Sequence, residues 1–236
     1  MLQALKQHLS LWSLFERIWV GCFISIVVFI SFWSGYDLLG FAAFLSGVLC
    51  VVLIAKGLLI SFWVGYINIL LYAWSAWLNG LYGEVGLNLL FFLPVNVVGH
   101  CLWYRNIQAN GQLEIRRMSR WAVLLSAILC AAGTFLLGRL LALIAGQHTP
   151  YLDALTNVFS VVAFSLQMLR YREQWLVWLV LDVVSVVMWS LRWYHGSPQG
   201  AMMVLMWGAY LGNGIYGWIS WNKRVKEAHA AREHAL

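Results

Sequence analysis

Residues 172–194 read REQWLVWLVLDVVSVVMWSLRWY, and this stretch decides what kind of fold the chain adopts. Its polar and aromatic residues recur every three or four positions, so they share one face of a single helix. This stripe consists of Trp175, Trp178, Asp182, Ser185 and Trp189. The other faces carry leucine, valine and methionine. An acid on an apolar helix of membrane length indicates a binding site or a pathway inside a helical bundle, because an ionisable group is costly in hydrocarbon.

The composition is that of a polytopic membrane protein. Hydrophobic residues make up 62% of the 236 residues and charged residues only 10%, whereas a soluble domain carries about 25% charged residues. The mean hydropathy is +0.77. The apolar segments do not alternate with polar residues as the strands of a membrane barrel do. We therefore predict an all-α membrane protein without a separate soluble domain.

Eight apolar segments reach the length of about 17–25 residues that crossing a bilayer requires. They are residues 17–34, 38–55, 58–79, 84–104, 119–144, 151–169, 173–194 and 199–221. Residues 1–17 place Leu2, Leu5, Leu9 and Trp12 on one face, which is typical of an interfacial amphipathic helix that leads into the first span.

The basic residues predict the orientation. With the N-terminus inside, 13 of the 15 lysines and arginines fall on the cytoplasmic side, and only Arg139 and Arg192 lie toward the other side. Positive charge marks the cytoplasmic loops of membrane proteins, so both termini are predicted to be cytoplasmic. The net charge of +6 follows from this topology and gives no support to nucleic-acid binding.

An internal repeat appears in the order of the segments. Residues 99–105 (GHCLWYR) and 217–223 (GWISWNK) close two triplets of helices, and in both a GxxxW pattern precedes a cation. A single helix, 119–144, separates the triplets, so the two have the same orientation. The prediction is a parallel 3+1+3 arrangement behind one extra helix, with a site near the midplane between the repeats.

This arrangement divides the chain into five parts. They are an N-terminal amphipathic segment with an extra transmembrane helix (1–35), a first three-helix bundle (36–106), a cytoplasmic loop with a linker helix (107–145), a second three-helix bundle (146–222) and a cytoplasmic tail (223–236).

Carboxamide side chains recur on the inward stripes of the repeat helices. They are Asn68, Asn88, Asn96, Gln167 and Asn213. A carboxamide in hydrocarbon needs hydrogen-bond partners, which a bound solute or a neighbouring helix can supply. Both interpretations stay open for each residue, but five such groups exceed what helix association needs. Pro94 is predicted to bend helix 84–104, and Gly99 and Gly217 are predicted to be points of close packing.

The aromatic residues of the quoted stretch suggest how a solute is held. Trp175 is predicted to be an interfacial anchor, whereas Trp178 and Trp189 share their face with Asp182. A flat cationic ring gains about 0.5–2 kcal/mol from cation–π attraction to an indole when it is desolvated. Asp182 is then a counter-ion or an acceptor for ribose hydroxyls, and the alternative is a buried partner for Arg192 or for a backbone group.

Motifs for catalysis or energy coupling are missing from the sequence. It has no GxxxxGK[ST] loop for ATP, no cysteine–histidine cluster for a metal and no nucleophile–base pair. We expect neither an enzyme nor a cofactor, and passive, facilitated movement of an uncharged or singly cationic aromatic solute fits best.

These residues resemble the PnuC-type nicotinamide riboside transporters. The resemblance covers about residues 46–222, and its most specific motif is Asn213-x-x-Tyr216-Gly217-x-x-x-Trp221. Further motifs are Glu173-Gln-Trp-Leu-Val-Trp178 and Asp182-Val-Val-Ser185 in the second half, and Gly65-x-x-Asn68-x-x-x-Tyr72-Ala73 and Leu81-Tyr82-Gly83-Glu84-x-x-Leu87-Asn88 in the first. The first repeat has Val98-Gly99 where the second has Tyr216-Gly217.

The resemblance implies a full-length fold like that of the sugar-transporting SWEET proteins, in homotrimers of the bacterial inner membrane. It implies facilitated diffusion of nicotinamide riboside, a vitamin B3 and NAD precursor, which cytoplasmic phosphorylation traps. The expected substrate-binding residues are Asn68, Asn88, Phe92, Asn96, Gln167, Trp178, Asp182, Ser185, Trp189, Tyr210, Asn213 and Tyr216.

Three alternatives remain open at this stage. Similar transporters carry thiamine, riboflavin or deoxynucleosides, and thiamine is also a flat cation. A membrane-embedded enzyme would need a histidine–acid pair, and His100 is the one histidine deep within a segment. A structural assembly subunit would tolerate removal of both Asn213 and Asp182.

Overall fold

The computed structural model describes residues 14–34, 38–78, 85–108, 112–143, 149–196 and 200–233. These residues form helices joined by short connections. The helices are α1 (Leu14–Ser34), α2 (Leu38–Ala55), α3 (Ile60–Leu78), a π-helix (Leu87–Phe92) that continues as α4 (Leu93–Tyr104), α5 (Arg120–Leu141), α6 (Pro150–Met168), α7 (Gln174–Tyr194) and α8 (Gly200–Glu233). The predicted helical class is confirmed. The interfacial helix predicted over residues 1–17 lies outside the described residues except for its last turn, which belongs to α1.

The outer surface of the helices is apolar. On α3, six large apolar side chains at alternating spacings of three and four are each more than half exposed: Ile60, Trp63, Ile67, Leu70, Trp74 and Trp77. Three helical stretches are long and apolar enough to cross a membrane by length and composition, namely Leu87–Tyr104, Arg120–Leu141 and Gln174–Tyr194. Only a bilayer solvates such a surface well, and the protein is therefore a multi-pass membrane protein.

The last helix is longer than predicted. The sequence placed its end near residue 221, but α8 continues to Glu233. Residues 222–233 lack glycine and proline and are rich in alanine, lysine, glutamate and arginine, which favour helix. Lys223 and Glu227 also approach to 3.9 Å at i,i+4 spacing. The apolar helix therefore extends as a polar one beyond the bundle.

The helix widens one turn before Pro94, and the proline accounts for this irregularity. Residues Leu87–Phe92 form a π-helix, and Pro94 stands in the first turn of α4. Proline has no N–H to donate to the carbonyl four residues earlier, so the preceding turn is free to widen. Asn88 is buried within this widened turn.

Helix packing pairs the two triplets, α2–α4 and α6–α8, in a reciprocal way. Within the triplets α2 packs on α3 and α7 packs on α8. Between them, α2 contacts α8 and α4 contacts α6, so the first helix of each triplet contacts the third helix of the other. The helix that precedes each triplet packs on its first helix, as α1 does on α2 and α5 on α6.

The turns after α2 and α6 have the same backbone geometry. Gly57 and Arg170 both have a left-handed conformation, with φ of 68° and 65°. Their N–H groups bond to carbonyls three residues earlier, at 2.8 Å for Gly57 to Ile54 and 3.0 Å for Arg170 to Gln167. In both turns the next N–H bonds five residues back, which makes a Schellman cap. In a non-glycine residue this conformation costs about 1 kcal/mol, so Arg170 is strained where Gly57 is not.

A buried aromatic cluster lies beside these turns and is formed by Phe62, Trp103, Trp175 and Trp221, each at most 3% exposed. The rings of Trp103 and Trp221 lie 6.0 Å apart, Phe62 meets Trp103 edge-on at 5.0 Å, and Trp175 meets Trp221 edge-on at 5.8 Å. The prediction that Trp175 is an interfacial anchor is wrong. Its ring is buried against Trp221 and Gly217 of α8, which only the tertiary packing reveals.

Hydrogen bonds from the two central tryptophans join the triplets. Trp103 Nε1 donates to the Gln167 carbonyl at 3.1 Å, and Trp221 Nε1 donates to the Ala55 carbonyl at 3.0 Å. Each tryptophan belongs to the third helix of one triplet and bonds to the end of the first helix of the other. An indole N–H in an apolar interior needs such an acceptor, so these bonds fix the contact between the triplets.

The glycines of the GxxxW patterns are points of close packing, as predicted. A Cβ on Gly99 would overlap the side chain of Met168, and a Cβ on Gly217 would overlap the ring of Trp175. Membrane helices approach closely at small residues because packing, rather than the hydrophobic effect, drives their association. The two glycines therefore permit the aromatic cluster to form.

Candidate substrate site

Polar side chains are buried inside the bundle while many large apolar ones face outward. The buried polar residues of the helices include Asn88, Asn96, Gln167, Gln174, Asp182, Ser185 and Asn213, each at most 6% exposed. Among the described residues, the buried acidic and basic side chains are Arg170, Glu173 and Asp182, and the first two belong to the α6–α7 turn. The helical interior therefore holds one acid, Asp182, among carboxamides and hydroxyls.

Gly47 on α2 is where a polar group of each triplet converges. A Cβ at this position would lie 3.2 Å from both the Asn68 amide nitrogen and the Tyr210 hydroxyl. Asn68 also donates to the Ala43 carbonyl at 2.7 Å and to the Ser46 hydroxyl at 3.2 Å. The structure thus brings Asn68 of the first triplet and Tyr210 of the second together at one glycine.

Asp182 lies on the same side of α8 as Tyr210. Its carboxylate is 3% exposed, and its Oδ2 would lie 3.5 Å from a Cβ on Gly214, one turn beyond Tyr210. The alternative role, as a buried partner of Arg192, is wrong. The Arg192 guanidinium instead lies 4.8 Å from the centre of the Trp189 ring, and the ion pairs of the described residues do not include Asp182.

Asn213 and Ser185 present polar atoms without protein partners. The Asn213 amide nitrogen donates to the Val51 carbonyl at 3.2 Å, which joins α8 to α2. Its Oδ1 and the Ser185 hydroxyl are buried and have no hydrogen-bond partner among the described residues. Because an unpaired buried polar group costs about 1–3 kcal/mol, such groups indicate a position where a polar solute is bound.

The remaining carboxamides have different surroundings. Asn96 donates to the Phe62 carbonyl at 3.3 Å and would lie 3.3 Å from a Cβ on Gly65, so it sits in the α3–α4 interface of the first triplet. Asn88 is buried within the π-helix. Gln167 is buried at the end of α6, where its backbone carbonyl accepts the Trp103 bond.

The predicted aromatic residues are spread along the bundle. Phe92 meets Phe164 of α6 edge-on at 5.0 Å. Trp178 and Tyr216 pack against the aromatic cluster. Trp189 lies 11 residues after Trp178, about 16 Å further along the axis of α7 at 1.5 Å per residue. The two indoles are therefore too far apart to enclose one flat ring together.

Sequence reasoning missed Ser61 and Gln174 as candidates for the site. Gln174 is fully buried, and both polar atoms of its amide lack a partner among the described residues, as does the Ser61 hydroxyl. Each lies one position before an aromatic-cluster residue at the start of its triplet's second helix, Phe62 or Trp175. The sequence did carry a signal, because Ser61 and Gln174 occupy corresponding positions in the two triplets. Recognising this correspondence requires the turns after α2 and α6 to be aligned.

The fold and the interior define a class of protein. A helical membrane protein with polar groups converging between two reciprocally packed triplets is built to bind a small polar solute inside the bilayer. A family model described as nicotinamide mononucleotide transporter matches residues 37–223. The chain belongs to this family.

Relatives of known name agree with this assignment. The chain is 32% identical to the nicotinamide riboside transporter PnuC of Neisseria mucosa over 91% of this chain and 83% of that protein. It is also 32% identical to the protein of that name from Haemophilus influenzae, over 95% of this chain and 96% of the relative. A crystal structure of the vitamin B3 transporter PnuC is similar with a TM-score of 0.75 at 32% identity, covering 92% of this chain and 94% of that one.

Proposed function

We propose that this protein takes up nicotinamide riboside by facilitated diffusion. The observation that carries the proposal is the 32% identity to nicotinamide riboside transporters over more than nine-tenths of the chain. The interior adds chemical support, because it offers an acid, carboxamides and hydroxyls to a solute that has a cationic ring, an amide and a ribose.

The charge of the interior favours the riboside over the mononucleotide for which the family is described. Asp182 is the only buried acidic or basic side chain in the described helices away from the α6–α7 turn. A phosphate needs arginine, lysine or clustered N–H donors, and a carboxylate close by repels it. Nicotinamide riboside lacks the phosphate, and its pyridinium is attracted to Asp182.

The proposed binding residues follow from this chemistry. Asp182 faces the pyridinium, and Asn213, Ser185, Asn68 and Tyr210 bond to ribose and carboxamide. Trp178 or Trp189 stacks on the ring. Asn88, Asn96, Phe92, Gln167 and Tyr216 complete the set of candidate contacts.

The proposed architecture is a SWEET-like 3+1+3 parallel repeat behind one extra helix, assembled as a homotrimer. The reciprocal contacts of α2 with α8 and α4 with α6, and the matching turns at Gly57 and Arg170, support the repeat. Two similar triplets can rock about their shared contacts, which exposes a central solute to one side at a time.

The proposed setting is the bacterial inner membrane with both termini in the cytoplasm. Lys56, Arg170 and Arg224 lie at one end of the bundle, where Arg224 bonds to the Lys56 carbonyl at 3.1 Å and Arg116 pairs by backbone with Arg170 at 2.9 Å. We call this the basic end and infer that it is cytoplasmic. Phosphorylation there traps the riboside, because the added charge prevents its return.

Transport in reconstituted vesicles tests the proposal. Proteoliposomes loaded with unlabelled nicotinamide riboside should accumulate the radiolabelled compound by counterflow, without ATP or an ion gradient. Thiamine, riboflavin and deoxynucleosides serve as competitors. Counterflow of thiamine in place of nicotinamide riboside would change the substrate, and absence of counterflow for all of these solutes would overturn the transport function.

The enzyme alternative receives no support from His100. Its Nδ1 lies 3.2 Å from the Tyr66 hydroxyl, and its ring stacks on Phe62 at 5.0 Å, nearly parallel. The neighbours of His100 are thus aromatic rings and a phenol, whereas acid–base catalysis would need a polarising acid within hydrogen-bond reach.

A further inference from the structure

A polar cavity lies at the basic end, outside the proposed substrate site. Its volume is about 300 Å³, and it opens between the extension of α8 and the loop that connects α4 to α5. The loop contributes Gln108, Gln112, Leu113, Glu114, Ile115, Arg116 and Arg117, and α8 contributes Arg224, Val225 and Ala228. Residues from distant parts of the sequence therefore build one concave surface.

The charge of this cavity is positive. Its charged residues are Arg116, Arg117, Arg224 and Glu114. Glu114 is already engaged, since its carboxylate lies 3.5 Å from the guanidinium of Arg170. The ion pairs of the described residues include none of the three arginines of the cavity. Two acids lie nearby: Glu114, which contacts Arg170, and Glu227, whose charge acts on Arg224. The three arginines outnumber them, so the cavity keeps an excess of positive charge.

Arg224 is the most deeply placed of the three. One of its nitrogens donates to the Lys56 carbonyl at 3.1 Å, which leaves the other donors of a five-donor guanidinium available. Burial lowers the pKa of Arg224, because removal from water disfavours the charged form. An anion in the cavity would stabilise the charged guanidinium and offset its loss of contact with water.

We propose that the cavity binds a phosphate-bearing ligand, either a soluble phosphate ester or the headgroup of an anionic phospholipid. Guanidinium groups bond to phosphate oxygens through paired N–H donors, and several on one surface are typical of phosphate recognition. The volume suits a small ligand at the lower end of the usual range of about 300–1,000 Å³. Gln108 and Gln112 at the rim add amide donors.

The position of the cavity connects its occupant to both triplets. Leu113 and Arg224 both lie against Gly57 in the α2–α3 turn. On the other side, Arg116 pairs by backbone with Arg170 and Arg172, and Glu173 accepts a bond from the Met118 N–H at 3.0 Å. A bound phosphate would fasten the loop to α8 and, through the loop, to both turns that flank the aromatic cluster.

The test is a binding measurement that does not depend on transport. The full-length protein is purified in a neutral detergent and titrated calorimetrically with pyrophosphate, AMP and adenosine. A parallel arm compares its melting temperature in nanodiscs of phosphatidylcholine with that in nanodiscs containing phosphatidylglycerol. The variant is R116Q/R117Q, and the control is R120Q, which removes an exposed arginine at the start of α5 that does not line the cavity.

The expected results separate the two sources of phosphate. Binding of AMP and pyrophosphate, but not adenosine, that weakens at least tenfold in R116Q/R117Q and persists in R120Q supports a soluble ester. Stabilisation by phosphatidylglycerol alone, lost in R116Q/R117Q and kept in R120Q, supports a lipid headgroup. Equal responses of both variants, equal binding of adenosine and AMP, or no response to phosphate in either arm would overturn the proposal.

If R116Q/R117Q does not fold, R117Q alone keeps the test decisive. Arg117 is exposed, and its side chain makes no hydrogen bond or ion pair with the other described residues. Loss of phosphate binding in R117Q with an unchanged melting temperature of the empty protein supports the proposal, and retained binding counts against it.

Discussion

The two triplets are alike at the basic end and different in the middle of the bundle. At the basic end, Trp103 and Trp221 make the same bond to the opposite triplet, and Gly57 and Arg170 make the same turn. In the middle, α3 carries Asn68 where α7 carries Asp182 and Ser185.

This difference shows which properties the two triplets share and which they do not. Backbone geometry and close packing are shared, because both triplets must dock on each other at the same place. The polar groups differ, which is consistent with the proposed site, where a small asymmetric solute would present a different group to each triplet. Substitutions at paired positions can sharpen or break this comparison.

The largest effect is expected from Asp182, which has no acidic counterpart in α3. D182N should lower counterflow of nicotinamide riboside at least about tenfold, because losing a charge-assisted contact costs about 1.5–3 kcal/mol. The control is D153N, an equivalent change in α6, where Asp153 accepts a bond from Thr149 at 3.3 Å. Normal counterflow in D182N would show that the cationic ring does not bind next to Asp182.

The paired glycines should differ in how well they tolerate a methyl group. G217A forces a Cβ against the rigid Trp175 ring and should lower the free energy of unfolding by about 2–3 kcal/mol, within the usual range for overpacking. G99A meets the flexible side chain of Met168 and should cost about 1 kcal/mol. Thermal unfolding in detergent measures both, and a larger loss in G99A would contradict the assigned packing.

The paired tryptophans should respond equally. W103F and W221F each remove an indole N–H bond to the opposite triplet, and each leaves a buried carbonyl without that donor. The free energy of unfolding should fall by about 1–2 kcal/mol in each variant. W121F is the control, because Trp121 is 80% exposed on α5. Strongly unequal losses in the melting temperatures of W103F and W221F would break the equivalence of the triplets.

The smallest effect concerns the two left-handed turns. G57A places a Cβ at positive φ and should cost about 1 kcal/mol, with further crowding from Arg224. R170G removes a backbone strain of similar size, but it also removes the contact with Glu114. The free energy of unfolding of R170G should therefore be nearly unchanged. Melting curves of the two variants check the difference, and a stability in G57A equal to that of the unaltered protein would argue against the turn.

Much of the fold follows from the sequence. The starts and ends of α2, α3 and α7 lie close to the predicted spans, because apolar length and breakers such as Gly57 set them. The extension of α8 was readable as well, since residues 222–233 favour helix. The predicted helix ended at the membrane boundary, because too little weight was given to the helix propensity of the residues beyond it.

The candidate site was only partly predictable. Periodicity identified Asp182, Ser185 and Asn213 as inward-facing, and all three are buried. It could not show that Trp175 belongs to the aromatic cluster, because Trp175, Trp178 and Trp189 have the same spacing pattern whether they face a solute, a helix or the interface. Gln174 was missed for the same reason.

The sequence by itself determined a helical membrane protein, its repeated GxxxW ends and the family to which it belongs, because apolar length, helical period and local motifs are properties of continuous segments. Only the tertiary structure decided that Asn68 and Tyr210 meet at Gly47 and that three arginines line one cavity. It also decided that Arg192 stacks on Trp189 and does not pair with Asp182. Each of these contacts joins side chains whose distance depends on how helices pack, and no local pattern encodes that distance.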